Sequence, residues 1–297
     1  MSQALPLNKV CSVEDIIDQL SSGMILGIGG WATRRKPMEL VRAILRSDLT
    51  ELTLVTPYGG PDVGMLTASG KVKKLIFAFV SMDQIPIEPH FKKARQAGLP
   101  VWELDEGMAH WSLRAAAMRL PFLPTRIGIG TSIMDQPGFK IIQSPFDDGE
   151  ELLAVPALKL DAALLHVHRS DEKGNVLVFS PDPFFDDLIA RAASKTYITA
   201  EKIVSTAELD MVANARFNPF ERLVVTAIAE APFGAHPTSA APDYELDLPH
   251  LKAYAASADS SEAWMAYRSK FIDLTPDAYL AAVGGADALR RLPKPVY

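Results

Sequence analysis

The stretch Gly23-Met24-Ile25-Leu26-Gly27-Ile28-Gly29-Gly30-Trp31-Ala32-Thr33-Arg34-Arg35-Lys36-Pro37 passes from an apolar run into paired glycines, three cations and a proline. That order predicts strand, turn and helix. Glycines let a backbone turn sharply and approach a ligand closely. Pro37 presets φ for the first turn of a helix through residues 38–46, whose N-terminal amides favour an anion. In open α/β sheets the carboxyl end of the first strand is where ligands are placed. Such a turn also occurs without a ligand, so both readings stay open at this point. The stretch is not a dinucleotide fingerprint, because Trp31 and Ala32 stand where the third glycine is needed, and no Gly-Lys-Ser/Thr phosphate loop occurs.

Further along, short apolar runs alternate with helix-period segments, which argues for a wound, mainly parallel α/β sheet flanked by helices. Ser12 with Asp15 marks a helix N-terminus ahead of Val13, Ile16, Ile17 and Leu20. Strands are expected over residues 52–56, 74–80, 101–104, 160–168 and 223–229, with extended pieces at 195–199 and 203–204. Helices are expected near 91–96, 112–119 and 186–193. Asp171-Glu172-Lys173-Gly174-Asn175 between two apolar runs predicts an added β-hairpin returning through Val176–Phe179. Residues 138–151 carry no clear period. The proline-rich segment 230–244 cannot form a regular element and is expected to be an ordered loop. Beyond it lies a helical C-terminal extension, about 245–297, with an extended tail at 292–297. We expect one domain over 1–297.

Several function classes fall away on composition. Net charge is −6 across 297 residues and no long basic run occurs, which disfavours a nucleic-acid surface. The local cluster Arg34-Arg35-Lys36 suits a small anionic ligand instead. Cys11 is the only cysteine, so neither an internal disulfide nor a thiolate cluster can form. No secretory signal or membrane-length apolar run is seen, and a soluble cytoplasmic protein is expected.

Asp105 and Glu106 stand where a strand hands over to a helix, on the side where ligands sit. Asp105 is read as a helix cap. For Glu106 a surface acid at a helix start and a catalytic acid are both open. His166 and His168 share one strand face, but without a clear third ligand no metal is expected. His236, between Ala235 and Pro237, is read as fixing a loop or a subunit contact.

With these pieces assembled, the chain resembles the A (α) subunit of class I coenzyme A transferases. Gly29-Gly30, Trp31 and Pro37 are similar to that family's Gly-Gly-Phe-x-x-x-Gly-x-Pro signature, with Trp31 for Phe and Arg35 for the later Gly. Residues 166–175 and 234–244 look like further family segments, so the resemblance spans roughly 13–244. Five stretches resemble a divergent branch, the A subunits of steroid ring-opening hydrolases that act on CoA thioesters. They are Trp31–Pro37, Tyr58-Gly59-Gly60-Pro61-Asp62, Asp105-Glu106-Gly107-Met108, Leu120-Pro121-Phe122-Leu123-Pro124 and Pro183-Phe184-Phe185-Asp186-Asp187-Leu188.

The resemblance implies a CoA-transferase-like fold, a B (β) subunit as partner in an α2β2 heterotetramer, and an acyl-CoA substrate. Coenzyme A is then part of the substrate, and no cofactor or metal is implied. The Glu-Asn-Gly-like motif of the transferase nucleophile belongs to the B half and is missing here, so the chain is not a complete transferase. The implied catalytic residue is Glu106, acting as base in a retro-Claisen opening of a steroid-derived ring. A carboxylate is a weak base near neutrality, and burial strengthens it. Amides of Gly29, Gly30 and Trp31, with Thr33, are expected to hold an oxyanion or the acyl chain. Arg34, Arg35 and Lys36 are expected on substrate carboxylates or CoA phosphates, with Arg126 as a second carboxylate clamp. A solvated helix start for the cluster and an ion pair for Arg126 stay open. The other functional readings are the α subunit of a true 3-oxoacid or glutaconate type transferase and a scaffold that only stabilises its B partner.

Overall fold

Ser12 opens the first helix, α1 (Val13–Ile17), with a capping box: its hydroxyl accepts from Asp15 N at 3.0 Å and the Asp15 carboxylate accepts from Ser12 N at 2.9 Å. The computed structural model describes residues 8–146, 148–181 and 183–293. After α1 come β1 (Ile25–Ile28), α2 (Met38–Arg46), β2 (Leu52–Val55), β3 (Tyr58–Gly59) and α3 (Pro61–Ala68). β4 (Val72–Phe77), β5 (Phe79–Val80), α4 (Pro89–Gln96), β6 (Val101–Glu103) and α5 (Glu106–Ala117) complete the first wing. A three-stranded antiparallel sheet follows, β7 (Phe122–Thr125), β8 (Lys140–Gln143) and β9 (Glu151–Pro156), in the order β7-β9-β8. The second wing is β10 (Leu160–Ser170), β11 (Val176–Leu177), α6 (Asp186–Ala192), β12 (Ala193–Ile203), α7 (Thr206–Leu209) and β13 (Val225–Glu230). Helices α8 (Leu248–Ala256), α9 (Ser261–Phe271), α10 (Pro276–Ala282) and α11 (Ala286–Arg290) end the chain.

The large sheet runs β13-β12-β10-β1-β2-β4-β6, with every neighbour on that path parallel and β11 antiparallel to β10. From β1 the chain winds outward through β2, β4 and β6, then crosses back to β10 on the other side of β1. The direction of winding therefore reverses between β1 and β10, the place where sheets of this kind put their ligands. The glycine turn after β1 lies there.

Side chains of a strand alternate between faces, and both faces of this sheet are covered. Leu26, Ile28, Leu54 and Leu164 pack with α2 (Leu40, Val41, Ile44), α8 (Leu251, Tyr254) and α9 (Trp264, Tyr267). Val55, Ala163, Leu165 and Ile198 pack with α5 (Met108, Leu113), α6 (Leu188, Ile189) and β9 (Leu153, Val155). Among the described residues no helix is long and apolar enough to cross a membrane.

The α/β class and mainly parallel sheet agree with expectation, and the hairpin pairs Arg169 with Leu177 and Ser170 with Val176. Several boundaries differ. The strand expected over 74–80 divides at Ala78 into β4, which pairs with β2 and β6, and β5, which pairs with β3 in a separate two-stranded sheet. Helix α5 starts at Glu106, not Ser112, because the Asp105 carboxylate accepts from Gly107 N at 2.8 Å and caps a turn that contains a glycine. The pieces at 195–199 and 203–204 join into one strand, β12, which ends at Ile203 and runs through Glu201 because that side chain accepts from Tyr244 Oη and Phe233 N and pairs with His166. Within the aperiodic 138–151 stretch, β8 and the first residues of β9 form; their side chains are largely exposed, so no burial period marks them. Segment 230–244 is an ordered loop docked on the glycine turn: Arg35 N donates to Ser239 O at 2.7 Å and Ser239 N to Thr33 O at 2.9 Å. Most of the tail expected to be extended, 294–297, lies outside the described residues.

Candidate active site

The turn leaving β1 is closed by its own chain. Gly29 N donates to Leu164 O at 3.1 Å, Gly30 N to Asp186 Oδ1 at 2.9 Å and Trp31 N to Arg34 O at 2.8 Å. A Cβ on Gly29 would strike the Asp186 carboxylate and Leu165. Gly30 has φ +74°, and a Cβ there would lie 2.5 Å from Arg35 O. Close packing and a left-handed backbone explain both glycines. This corrects the oxyanion expectation: the three amides already donate within the chain.

The cations separate from one another. Arg35 and Asp186 form an ion pair with both side chains 1% exposed, and Arg35 also donates to His166 O at 2.8 Å and Pro183 O at 3.2 Å. Lys36 Nζ lies 3.1 Å from Asp62 Oδ2 and 3.0 Å from Thr56 Oγ1, wholly buried. Burial pushes the Lys36 amine down from its ordinary range, and Asp62 opposes that. Neither cation faces solvent, because each neutralises a buried carboxylate beneath the turn. Thr33, also buried, donates to Asp83. Arg34 is different, half-exposed and 3.8 Å from Asp83 Oδ1. Arg126 stands in solvent, paired in a fork with Glu150.

Glu106 lies at the other end of the edge, at the first position of α5. Its residue is exposed, but the buried Tyr58 hydroxyl donates to Oε1 at 2.7 Å. Tyr58 is part of an aromatic floor. It stacks on Trp31 with centroids 3.7 Å apart and contacts Phe79 at 5.1 Å and Phe185 at 5.0 Å. Trp31 reaches Phe184 at 5.5 Å, and His110, one turn along α5 from Glu106, stacks on Phe185 at 4.6 Å. Burial and the neighbouring Arg114 guanidinium hold the His110 ring below its usual value. The site thus offers an acid at the border of an apolar shelf. Trp31 is the predicted residue that joins this shelf; Tyr58, Phe79, Phe184 and Phe185 were not singled out. Tyr58 and Phe79 open β3 and β5, and Phe184 and Phe185 lead into α6; nothing in their spacing shows that they meet.

His166 and His168 each have their own partners. His166 bonds Glu201 Oε1 at 2.7 Å and Thr199 Oγ1 at 2.9 Å. His168 bonds Ala241 O at 2.9 Å and accepts from Phe179 N at 3.1 Å, and burial holds it down to about 4. His236 fixes its loop through Tyr279 Oη at 2.6 Å and Asp247 Oδ2 at 3.0 Å. His236, Asp247 and His250 offer ligand atoms within 4.8 Å of one another. Tyr279 holds His236, Tyr267 holds His250, and Asp247 accepts from His250 N at 2.9 Å.

Comparison with known proteins places this geometry. A cholesterol ring-cleaving hydrolase IpdA subunit of Rhodococcus jostii (strain RHA1) is 45% identical, over 93% of this chain and 96% of that one. Its namesake in Mycobacterium tuberculosis (strain CDC 1551 / Oshkosh) is 44% identical, over 95% and 99%. The crystal structure of glutaconate coenzyme A-transferase from Acidaminococcus fermentans superposes with a TM-score of 0.89 at 30% identity, over 97% of this chain and 96% of that one. The family model described as coenzyme A transferase matches residues 10–216. On sequence and fold together, the chain belongs to the coenzyme A transferase family.

Proposed function

We propose that this chain is the A subunit of a heteromeric hydrolase that opens the last steroid-derived ring of a β-keto acyl-CoA by water-dependent carbon–carbon cleavage. The observation that carries the reading is Glu106, an acid at the carboxyl edge of the sheet, held by Tyr58 at the border of an aromatic cluster. Identity of 44–45% along the chain with subunits named for cholesterol ring cleavage supports it. Glu106 removes a proton from water as the water oxygen adds to the ring ketone. The tetrahedral alkoxide then collapses to a carboxylic acid. The broken C–C bond leaves its electron pair on the carbon next to the thioester, as an enolate, and that carbon recovers the proton from Glu106. One water is added and the thioester stays intact.

Trp31 supplies a ring face to the acyl group and Arg34, the half-exposed cation of the turn, meets a carboxylate or phosphate. Gly29, Gly30, Thr33, Arg35 and Lys36 shape the edge from beneath. Coenzyme A enters as part of the substrate, and the chemistry needs no further cofactor. We place the enzyme in the cytoplasm, assembled with its B subunit as α2β2. The test is co-expression with a B-type chain and turnover of a cyclic β-keto acyl-CoA in ¹⁸O-labelled water. Label in the new carboxylate with the thioester intact supports the reading. Exchange of CoA between acids through a trapped glutamyl-CoA would instead make the chain a transferase α subunit.

A further inference from the structure

We infer that Tyr58 is the positioning residue that aims Glu106, holding one carboxylate oxygen and leaving the other for water. This deepens the hydrolase reading and rests on Glu106 being its base. A glutamate at the first turn of a helix is free to sample several rotamers, and ordering such a side chain costs about 1.5–2 kcal/mol. Glu106 is exposed, so packing by its own chain does not order it. The Tyr58 hydroxyl supplies the order with a bond of 2.7 Å to Oε1.

The donor is itself immobile, which is what positioning requires. Its ring is 1% exposed and lies between Trp31, Phe79 and Phe185. Its backbone is tied on two sides: Tyr58 O accepts from Ala32 N at 3.0 Å, and β3 pairs in parallel with β5, Tyr58 opposite Phe79. Gly60 lets this happen, since a Cβ there would collide with Ala32 O. The Tyr58-Gly59-Gly60 stretch is thus built to hold one phenol fixed, and the phenol points at the acid. A phenol donates to a carboxylate whether or not the other oxygen carries a proton. The bond therefore persists while Glu106 takes a proton from water and returns it to carbon.

The test uses the complete complex with its B subunit and a cyclic β-keto acyl-CoA. Tyr58→Phe keeps the stack and removes the hydroxyl. Hydrogen bonds to charged groups imply a fall in kcat of about ten- to a hundred-fold. KM is expected within twofold and the melting temperature unchanged. Wild-type kcat in a complex where Glu106→Gln is inactive would overturn the assignment and leave Tyr58 as wall. A raised KM at constant kcat would overturn it too, making Tyr58 a substrate contact. Full activity in Glu106→Gln would remove the base itself, a different failure from the first two.

Discussion

The turn after β1 and the helix start after β6 lie on the same edge of one sheet, and they use polar groups in opposite ways. Around Gly29–Lys36 the amides and the two inner cations are bonded within the chain, through Asp186, Asp62, Leu164 and Ser239. Around Glu106 an acid is held at one oxygen and otherwise open. A group already bonded inside its own protein has little left for a ligand; a group fixed but unsaturated has much. The glycine turn therefore builds the shape of that edge, and the β6–α5 junction supplies its chemistry. A cationic motif beside glycines was the louder sequence signal, yet most of its charge faces inward.

The largest effect is expected at the acid. Glu106→Gln should lower turnover of the assembled enzyme about 10²- to 10⁴-fold while leaving its melting temperature in place. Activity assays beside calorimetry check both, and a Glu106 variant that unfolds would erase the contrast. In the turn the expectation inverts. Asp186→Ala strands the Arg35 guanidinium and Gly30 N, and removing one partner of a buried pair costs about 3–5 kcal/mol, read as a lower midpoint in urea. Asp186→Asn, which keeps an acceptor for Gly30 N, should lose less.

Acid sharpens the comparison further. His168, beneath the turn, titrates at about 4 in the fold against about 6.5 when unfolded. The unfolded chain then binds the extra proton first, so stability should fall as pH drops from about 6.5 to 4. His90, at about 4, and His250, at about 3, act in the same direction. Glu88 opposes them, because burial raises it to about 7 and favours the fold as pH falls from about 7 to 4.5. Melting curves from pH 7 to 4 measure the sum, and His168→Gln should flatten it. The smallest effect is expected at Arg126. Its fork with Glu150 stands in solvent, so Arg126→Ala should leave stability unmoved. A many-fold rise in KM there would reinstate it as a carboxylate clamp.

Much of the fold could be read in advance because its signals are local. Strand periods, the Ser12 capping box, the Gly174-Asn175 turn and the Asp105 cap each sit within a few residues. The acid was found through resemblance, since a carboxylate at a helix start is ordinary by itself. Of its floor only Trp31 was found: Trp31, Tyr58, Phe79 and Phe184 belong to four segments that only the sheet order brings together. The inward turn of Arg35 was hidden for the same reason, its counter-ion being 151 residues away. The antiparallel sheet escaped because β7 and β8 are largely exposed and only Leu153 and Val155 of β9 are buried, too few to mark a period.

That separation has a consequence for biosynthesis. Arg35 leaves the ribosome long before Asp186, and Lys36 meets Thr238 across 202 residues. Until the later segments emerge, Arg35 lacks its counter-ion, while Lys36 and Arg34 already have theirs in Asp62 and Asp83. Contacts so distant in sequence close slowly. The nascent amino-terminal wing therefore carries one buried-to-be cation, and the apolar face that β10 covers, without their partners until the second half of the chain is made.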